Sequence, residues 1–256
     1  MPKTLIYYHR SYRKITGSGR VFLGLLMATS LPLSMLILFF HSDVTAWVSV
    51  ATKAALASYN PSWSIEVVEK TFLWNKMSFV SISGKIPSEL TIAANGFLSL
   101  LMIVLLLLTR KGKNIAVYFI FLFGFNLASA LFFSAFPGDF PYTAAEFSEL
   151  YMKAQISMWL FIPIILGMAF LPLPGSLATK ILLILATLSY SVGFCTLRYI
   201  IFLFIIKEYS IFYMALLFFA FGPLIDFVYI VGFYSVYNRR LAIQLKGSAS
   251  VWKWSY

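Results

Sequence analysis

Six runs of apolar residues recur along this chain of 256 residues, each close to the roughly 20 residues that an α-helix needs to cross the hydrocarbon layer of a bilayer. They fall at about 21–41, 90–109, 115–136, 155–172, 181–206 and 210–237. Peptide groups inside hydrocarbon must find partners within their own segment, so runs of this length read as helices. Composition agrees. Hydrophobic residues make up 61% and charged residues 11%, against about 25% charged in soluble domains. A water-soluble fold would lack the polar surface to cover so much apolar mass. The sequence therefore predicts an all-α polytopic membrane protein, one membrane domain over 1–256 with a tail at 238–256. The first run is longer than a signal-peptide core and no small-residue cleavage site follows it, so it reads as an uncleaved anchor. Gly124, Pro163 and Gly167 interrupt the third and fourth runs, which neighbouring helices can accommodate.

Charge gives the chain a direction. The net charge of +11 could point to nucleic acid, but no basic stripe is interleaved with polar residues as such a surface requires. The basic residues sit at the ends of the apolar runs instead. In the six-span threading one side collects Lys3, Arg10, Arg13, Lys14, Arg20, Arg110, Lys111, Lys113, Lys180, Arg239, Arg240, Lys246 and Lys253, with no acid among them. The other side mixes Lys53, Lys70, Lys76, Lys85, Lys153 and Lys207 with Asp43, Glu66, Glu69, Glu89, Asp139, Glu146, Glu149 and Glu208. Basic loops are retained in the cytoplasm, so both termini are expected inside, in a bacterial inner (plasma) membrane. The expected partners are the lipid bilayer and other membrane or envelope proteins.

Two segments on the acidic side are long. Residues 43–89 hold Trp47, Trp63 and Trp74, and the pieces 64–68 and 79–83 have the composition of short strands, predicting a small extended cap. Residues 137–153 open on Pro137, Gly138 and Asp139 and continue into an acidic helical stretch at 144–152.

Few side chains inside the spans can carry chemistry. Thr91, Asn95 and Ser99 recur at every fourth position and share one helical face. Such a face packs against another helix through hydrogen bonds, or it lines an outward pocket. Arg198 and Asp226 are the two charges within spans, and a charge at mid-membrane costs roughly 2.5–3.5 kcal/mol on insertion scales. At a rise of about 1.5 Å per residue they would lie about 13 and 25 Å deep, so pairing requires tilt or a kink at Gly222-Pro223. Cys195, the single cysteine, reads as a packing residue, and His9 and His41 flank the first span. The chain calls for no metal and no cofactor. Tyr229, Phe233, Tyr234 and Tyr237 read as lipid contacts and interfacial anchors, and Trp252 and Trp254 as an anchor of the tail. Phosphate loops, nucleophile–histidine pairs and metal-ligand spacings are not visible.

From about 63 to 172 one layout is familiar. Ala93-Ala94-Asn95-Gly96 opens a leucine-rich span, Arg110-Lys111-Gly112-Lys113 follows, Asn126-Leu127-Ala128-Ser129 closes the next span, and a further span begins near 151–155. This resembles the exosortase/archaeosortase family of membrane cysteine transpeptidases. The resemblance places the family's thiol at Ala94, its arginine at Ser129 and its histidine near Ala154 or Gln155, so all three catalytic groups are missing. It implies a catalytically inactive relative with an outward cleft built from Thr91, Ala94, Asn95, Ser99, Asn126, Ser129 and Gln155. Such a cleft would bind a peptide, a lipid-linked group or a partner in an envelope assembly or protein-sorting system. Glu146 and Glu149 at its rim would favour a basic partner. Two other readings stand beside it: a structural subunit of a membrane complex, and a transporter or channel subunit using Arg198 and Asp226.

Overall fold

The computed structural model describes residues 19–108, 113–136, 140–173 and 175–244. The chain runs α1 (Gly19–Tyr59), β1 (Ile65–Phe72), β2 (Asn75–Ile82), α2 (Glu89–Leu108), α3 (Lys113–Ala135), α4 (Ala144–Phe170), α5 (Leu177–Glu208), a 3-10 turn (Ile211–Tyr213), α6 (Met214–Phe221) and α7 (Pro223–Gln244). Six stretches are long and apolar enough to cross a membrane, the sixth being α6 and α7 taken together. The protein is thus an all-α polytopic membrane fold carrying one two-stranded antiparallel sheet. Lys3, His9, Arg10, Arg13, Lys14, Arg110, Lys111, Pro137, Gly138, Asp139, Lys246, Trp252, Lys253 and Trp254 lie outside the described residues.

Helix α1 is twice as long as its span requires. Its 41 residues extend about 60 Å at 1.5 Å per residue. Residues 43–59, expected in the extended cap, instead continue the first helix. The stretch contains neither Gly nor Pro and is rich in Ala, the strongest helix former, until Asn60-Pro61 stops it. The fourth helix likewise starts at Ala144, so the acidic stretch and the span are one element.

The face that α1 turns inward is polar. Ser30, Ser34, His41, Thr45, Ser49 and Thr52 are buried, while Phe39, Phe40, Trp47 and Val50 are exposed. Small residues let helix backbones approach closely where lipid, not water, surrounds the protein. Ser30 Oγ donates to Pro163 O at 2.9 Å and Ser34 Oγ to Leu160 O at 3.0 Å, around the proline inside α4. Gly167 makes this approach possible, because a Cβ there would collide with Ser30 Oγ.

The hairpin is wedged into the bundle. Its register runs from Ile65 opposite Ile82 to Phe72 opposite Asn75. Strand β2 is buried through Met77, Ser78, Phe79, Val80 and Ile82, although one of its edges has no neighbouring strand. Helical side chains satisfy that edge: Ser78 N donates to Thr45 Oγ1 at 3.2 Å, Val80 N to Tyr199 OH at 2.8 Å, and Ser148 Oγ to Val80 O at 2.6 Å. Non-helical backbone is tolerated inside a membrane bundle only when its polar groups are met in this way. At the hairpin tip Glu69 accepts from Lys76 at 2.9 Å, which holds that ammonium's pKa above its ordinary value.

Candidate functional site

The sixth crossing breaks at Gly222, and Pro223 begins α7, a position where its missing N–H costs nothing. A helix end leaves unsatisfied carbonyls with partial negative charge, and a helix start leaves partial positive charge. Arg198 of α5 answers the first: Nη1 donates to Phe221 O at 3.2 Å and to Gly222 O at 2.9 Å. Asp226, in the first turn of α7, answers the second. The two side chains then pair, Arg198 Nη2 to Asp226 Oδ2 at 3.0 Å, at 4% and 1% exposure. The break therefore closes the difference in depth that separated the two charges on straight helices. Around them Arg198 Nε donates to Tyr151 OH at 2.9 Å, and Gln155 Nε2 to Asp226 Oδ2 at 3.3 Å. The Tyr151 ring stacks on Tyr199 with centroids 5.2 Å apart, and Tyr199 holds Val80 of the hairpin. An unbroken set of contacts thus joins the helix break to β2.

Cys195 is fully buried beside this set, 3.8 Å from Tyr151 OH. Tyr229 and Tyr237, expected to face lipid, are buried instead. Tyr229 shares a 2.6 Å hydrogen bond with Ser191, which also accepts from Trp159 Nε1 at 3.1 Å, and Tyr237 packs edge-on against Phe170. A pure hydropathy reading assigns such tyrosines to the interface because it cannot see an inward partner.

The polar face of α2 finds its partners in α3. Asn126 Nδ2 donates to Ser99 Oγ at 3.0 Å and to Asn95 Oδ1 at 3.2 Å, and Tyr213 OH donates to Asn95 Oδ1 at 3.3 Å. Of the expected cleft residues, Asn95, Ser99 and Asn126 therefore meet. Thr91 bonds through its hydroxyl to Ser88. Ala94 is exposed, Ser129 is half-buried, and Gln155 belongs to the Arg198–Asp226 group. No hydrogen bond among the described residues links Ala94, Ser129 and Gln155 to one another.

Concave surface is found in two regions: an apolar hollow of about 300 Å³ beside Arg198, walled by Phe194, Leu197, Leu217 and Phe221, and a group of hollows at the hairpin end of the bundle. One hollow of about 230 Å³ is walled by Phe132, Phe147, Phe218 and Phe219. A second, of about 390 Å³, runs along Ser83, Gly84, Thr143 and Ala144. Phe140 and Tyr142 line both, so the two hollows adjoin between the end of α3, the start of α4, the start of α6 and the exit of the hairpin. Beyond Ile86 lies a third, polar hollow of about 330 Å³, with Lys85, Ser88, Thr91, Glu208, Tyr209 and Tyr213. The chain from β2 to α2 is fastened there by Lys85 N to Ile206 O at 3.2 Å and Ile211 N to Lys85 O at 2.9 Å. Gly84 permits that crossing, since a Cβ would strike the Ile211 side chain.

The acids expected to charge the rim have other partners. Glu146 closes a capping box with Thr143, accepting from Thr143 N at 2.8 Å. Glu149 bridges Lys70 at 2.9 Å and Lys153 at 2.6 Å. Sequence reasoning missed Thr45, Ser148, Tyr151, Tyr199 and Tyr213. Ser148, Tyr151 and Gln155 do share one face at helical spacing, a signal that was present and unread. Compared with protein-family models, with curated proteins and with solved structures, the chain matches none.

Proposed function

We propose that this chain is a non-catalytic, exosortase-like membrane protein that holds a lipid-linked group in the aromatic cleft at its hairpin end. The observation that carries this reading is the cleft bridged by Phe140 and Tyr142. One half is aromatic and aliphatic, and the other reaches Ser83 and Thr143. That gradient suits an amphiphile. A peptide fits less well. Its amides would need partners, and the unpaired edge of β2 is already occupied by Thr45, Tyr199 and Ser148. A hydrocarbon chain makes no such demand. The resemblance implies a site without covalent chemistry, since the family's thiol, arginine and histidine places fall at Ala94, Ser129 and Ala154 or Gln155, although none of these lines the cleft. The chain's only thiol, on Cys195, is buried away from the cleft. Lys180, Arg239 and Arg240 at the opposite end support an outward-facing cleft under the positive-inside rule.

The transporter reading is weaker, because Arg198 and Asp226 are engaged by each other and by the helix break. A photoreactive residue in place of Tyr142, compared with one at the exposed Leu107 of α2, tests the proposal. The expected outcome is a lipid-linked species enriched at position 142 over the bulk lipid captured at 107. Identical adducts at both positions would remove the cleft as a binding site and leave the structural-subunit reading.

A further inference from the structure

The polar hollow beyond Ile86 carries charges of both signs that do not neutralise each other. Lys85 Nζ donates to the main-chain oxygen of Glu208 at 3.1 Å, not to its carboxylate. No ion pair or side-chain hydrogen bond engages the Glu208 carboxylate among the described residues. Tyr209 and Tyr213 add aromatic side chains, and Ser88 and Thr91 add a hydrogen-bonded pair of hydroxyls. The hollow lies where the apolar run of α2 begins at Leu90, the level at which head groups and interfacial tyrosines meet. Ile86, 73% exposed, lines both this hollow and the cleft.

We infer that this hollow binds the head group of a zwitterionic phospholipid bearing a phosphate ester and a primary ammonium, the chains of the same lipid lying across Ile86 in the aromatic cleft. The phosphate faces Lys85 and the hydroxyls of Ser88 and Thr91. The ammonium faces the Glu208 carboxylate and the ring of Tyr209, where a cation is also held by the aromatic face. An anionic head group without an amine would leave Glu208 opposed by negative charge. A quaternary amine could not donate a hydrogen bond to it. The inference rests on the cleft reading for the position of the chains, and the test separates the two.

The full-length protein, purified in detergent, is offered an equimolar mixture of phosphatidylethanolamine, phosphatidylcholine and phosphatidylglycerol with matched acyl chains, and retained lipid is counted by native mass spectrometry. Phosphatidylethanolamine is expected to be retained about tenfold over phosphatidylglycerol, the effect of one charge-assisted hydrogen bond. Glu208→Gln should erase that preference by lowering phosphatidylethanolamine retention and raising that of phosphatidylglycerol, and Lys85→Gln should weaken all three lipids. Both residues are exposed, and an unchanged thermal melt certifies each variant. Equal retention of the three lipids, or a preference that survives Glu208→Gln, overturns the head-group assignment even if position 142 still captures lipid. Loss of selective capture at position 142, with the ethanolamine preference intact, overturns the cleft reading instead.

Discussion

The bundle of α1, the hairpin, α4, α5 and α7 and the pair α2–α3 use polar side chains for different ends. In the bundle, hydroxyls and charges meet backbone that regular structure leaves unpaired, at the open edge of β2 and at the ends of α6 and α7. In the α2–α3 pair, Asn95, Ser99 and Asn126 meet one another along two regular helices, and α2 buries only Ile92 and Ser99. A side chain that satisfies backbone cannot be removed without exposing a peptide group to a low-dielectric interior, whereas one that bonds another side chain leaves a smaller debt. Sensitivity to mutation should follow that distinction.

The harshest test is at the helix break. Arg198→Met or Asp226→Leu alone should cost about 3–5 kcal/mol, because each leaves an uncompensated buried charge. The double substitution should recover part of that loss. Reversible unfolding in mixed micelles measures it, and a double variant as unstable as the two losses added would show that the pair is not coupled. Next comes the hairpin. Tyr199→Phe removes the acceptor of Val80 N and should cost about 1–3 kcal/mol, with faster amide exchange in β2 and little change in α2. Uniform exchange across the molecule would contradict the local role given to Tyr199. At the α1–α4 contact, Gly167→Ala should cost about 1–3 kcal/mol by overpacking against Ser30, and Ser30→Gly on that background should restore some stability. The mildest effect belongs to the peripheral pair. Asn126→Leu should cost about 0.6–2 kcal/mol, in the range of interhelical hydrogen bonds measured in membranes, and should loosen α2 to proteolysis without altering the hairpin. A loss as large as that at Arg198 would erase the contrast between the two regions.

Much of this was legible in residue order. Apolar runs located every crossing, and alternating β-branched and aromatic residues located the hairpin. Thr91, Asn95 and Ser99 announced a polar seam by their spacing alone. Other features were hidden. The extension of α1 through 43–59 is hidden from hydropathy, because that stretch lies outside the apolar span and declares itself only through its helix propensity. The inward placement of Tyr229 and Tyr237 is invisible in the sequence, because an aromatic hydroxyl looks the same on either face until its partner is known. Glu146 and Glu149 were legible as charges but their partners were not, since the capping box and the lysine bridges form only once the helix and hairpin meet.

The primary sequence by itself determined that this chain lies in a membrane and how many times it can cross, because hydrophobic length and composition act locally and need no partner. Tertiary structure alone decided that Arg198 reaches Asp226, that β2 is held by three helices, and that Phe140 and Tyr142 join two hollows into a cleft. Those outcomes depend on where distant segments come to rest, and hydrogen bonds and ion pairs have directions and reach of only a few ångströms, about 2.7–3.2 Å between heavy atoms for N–H···O.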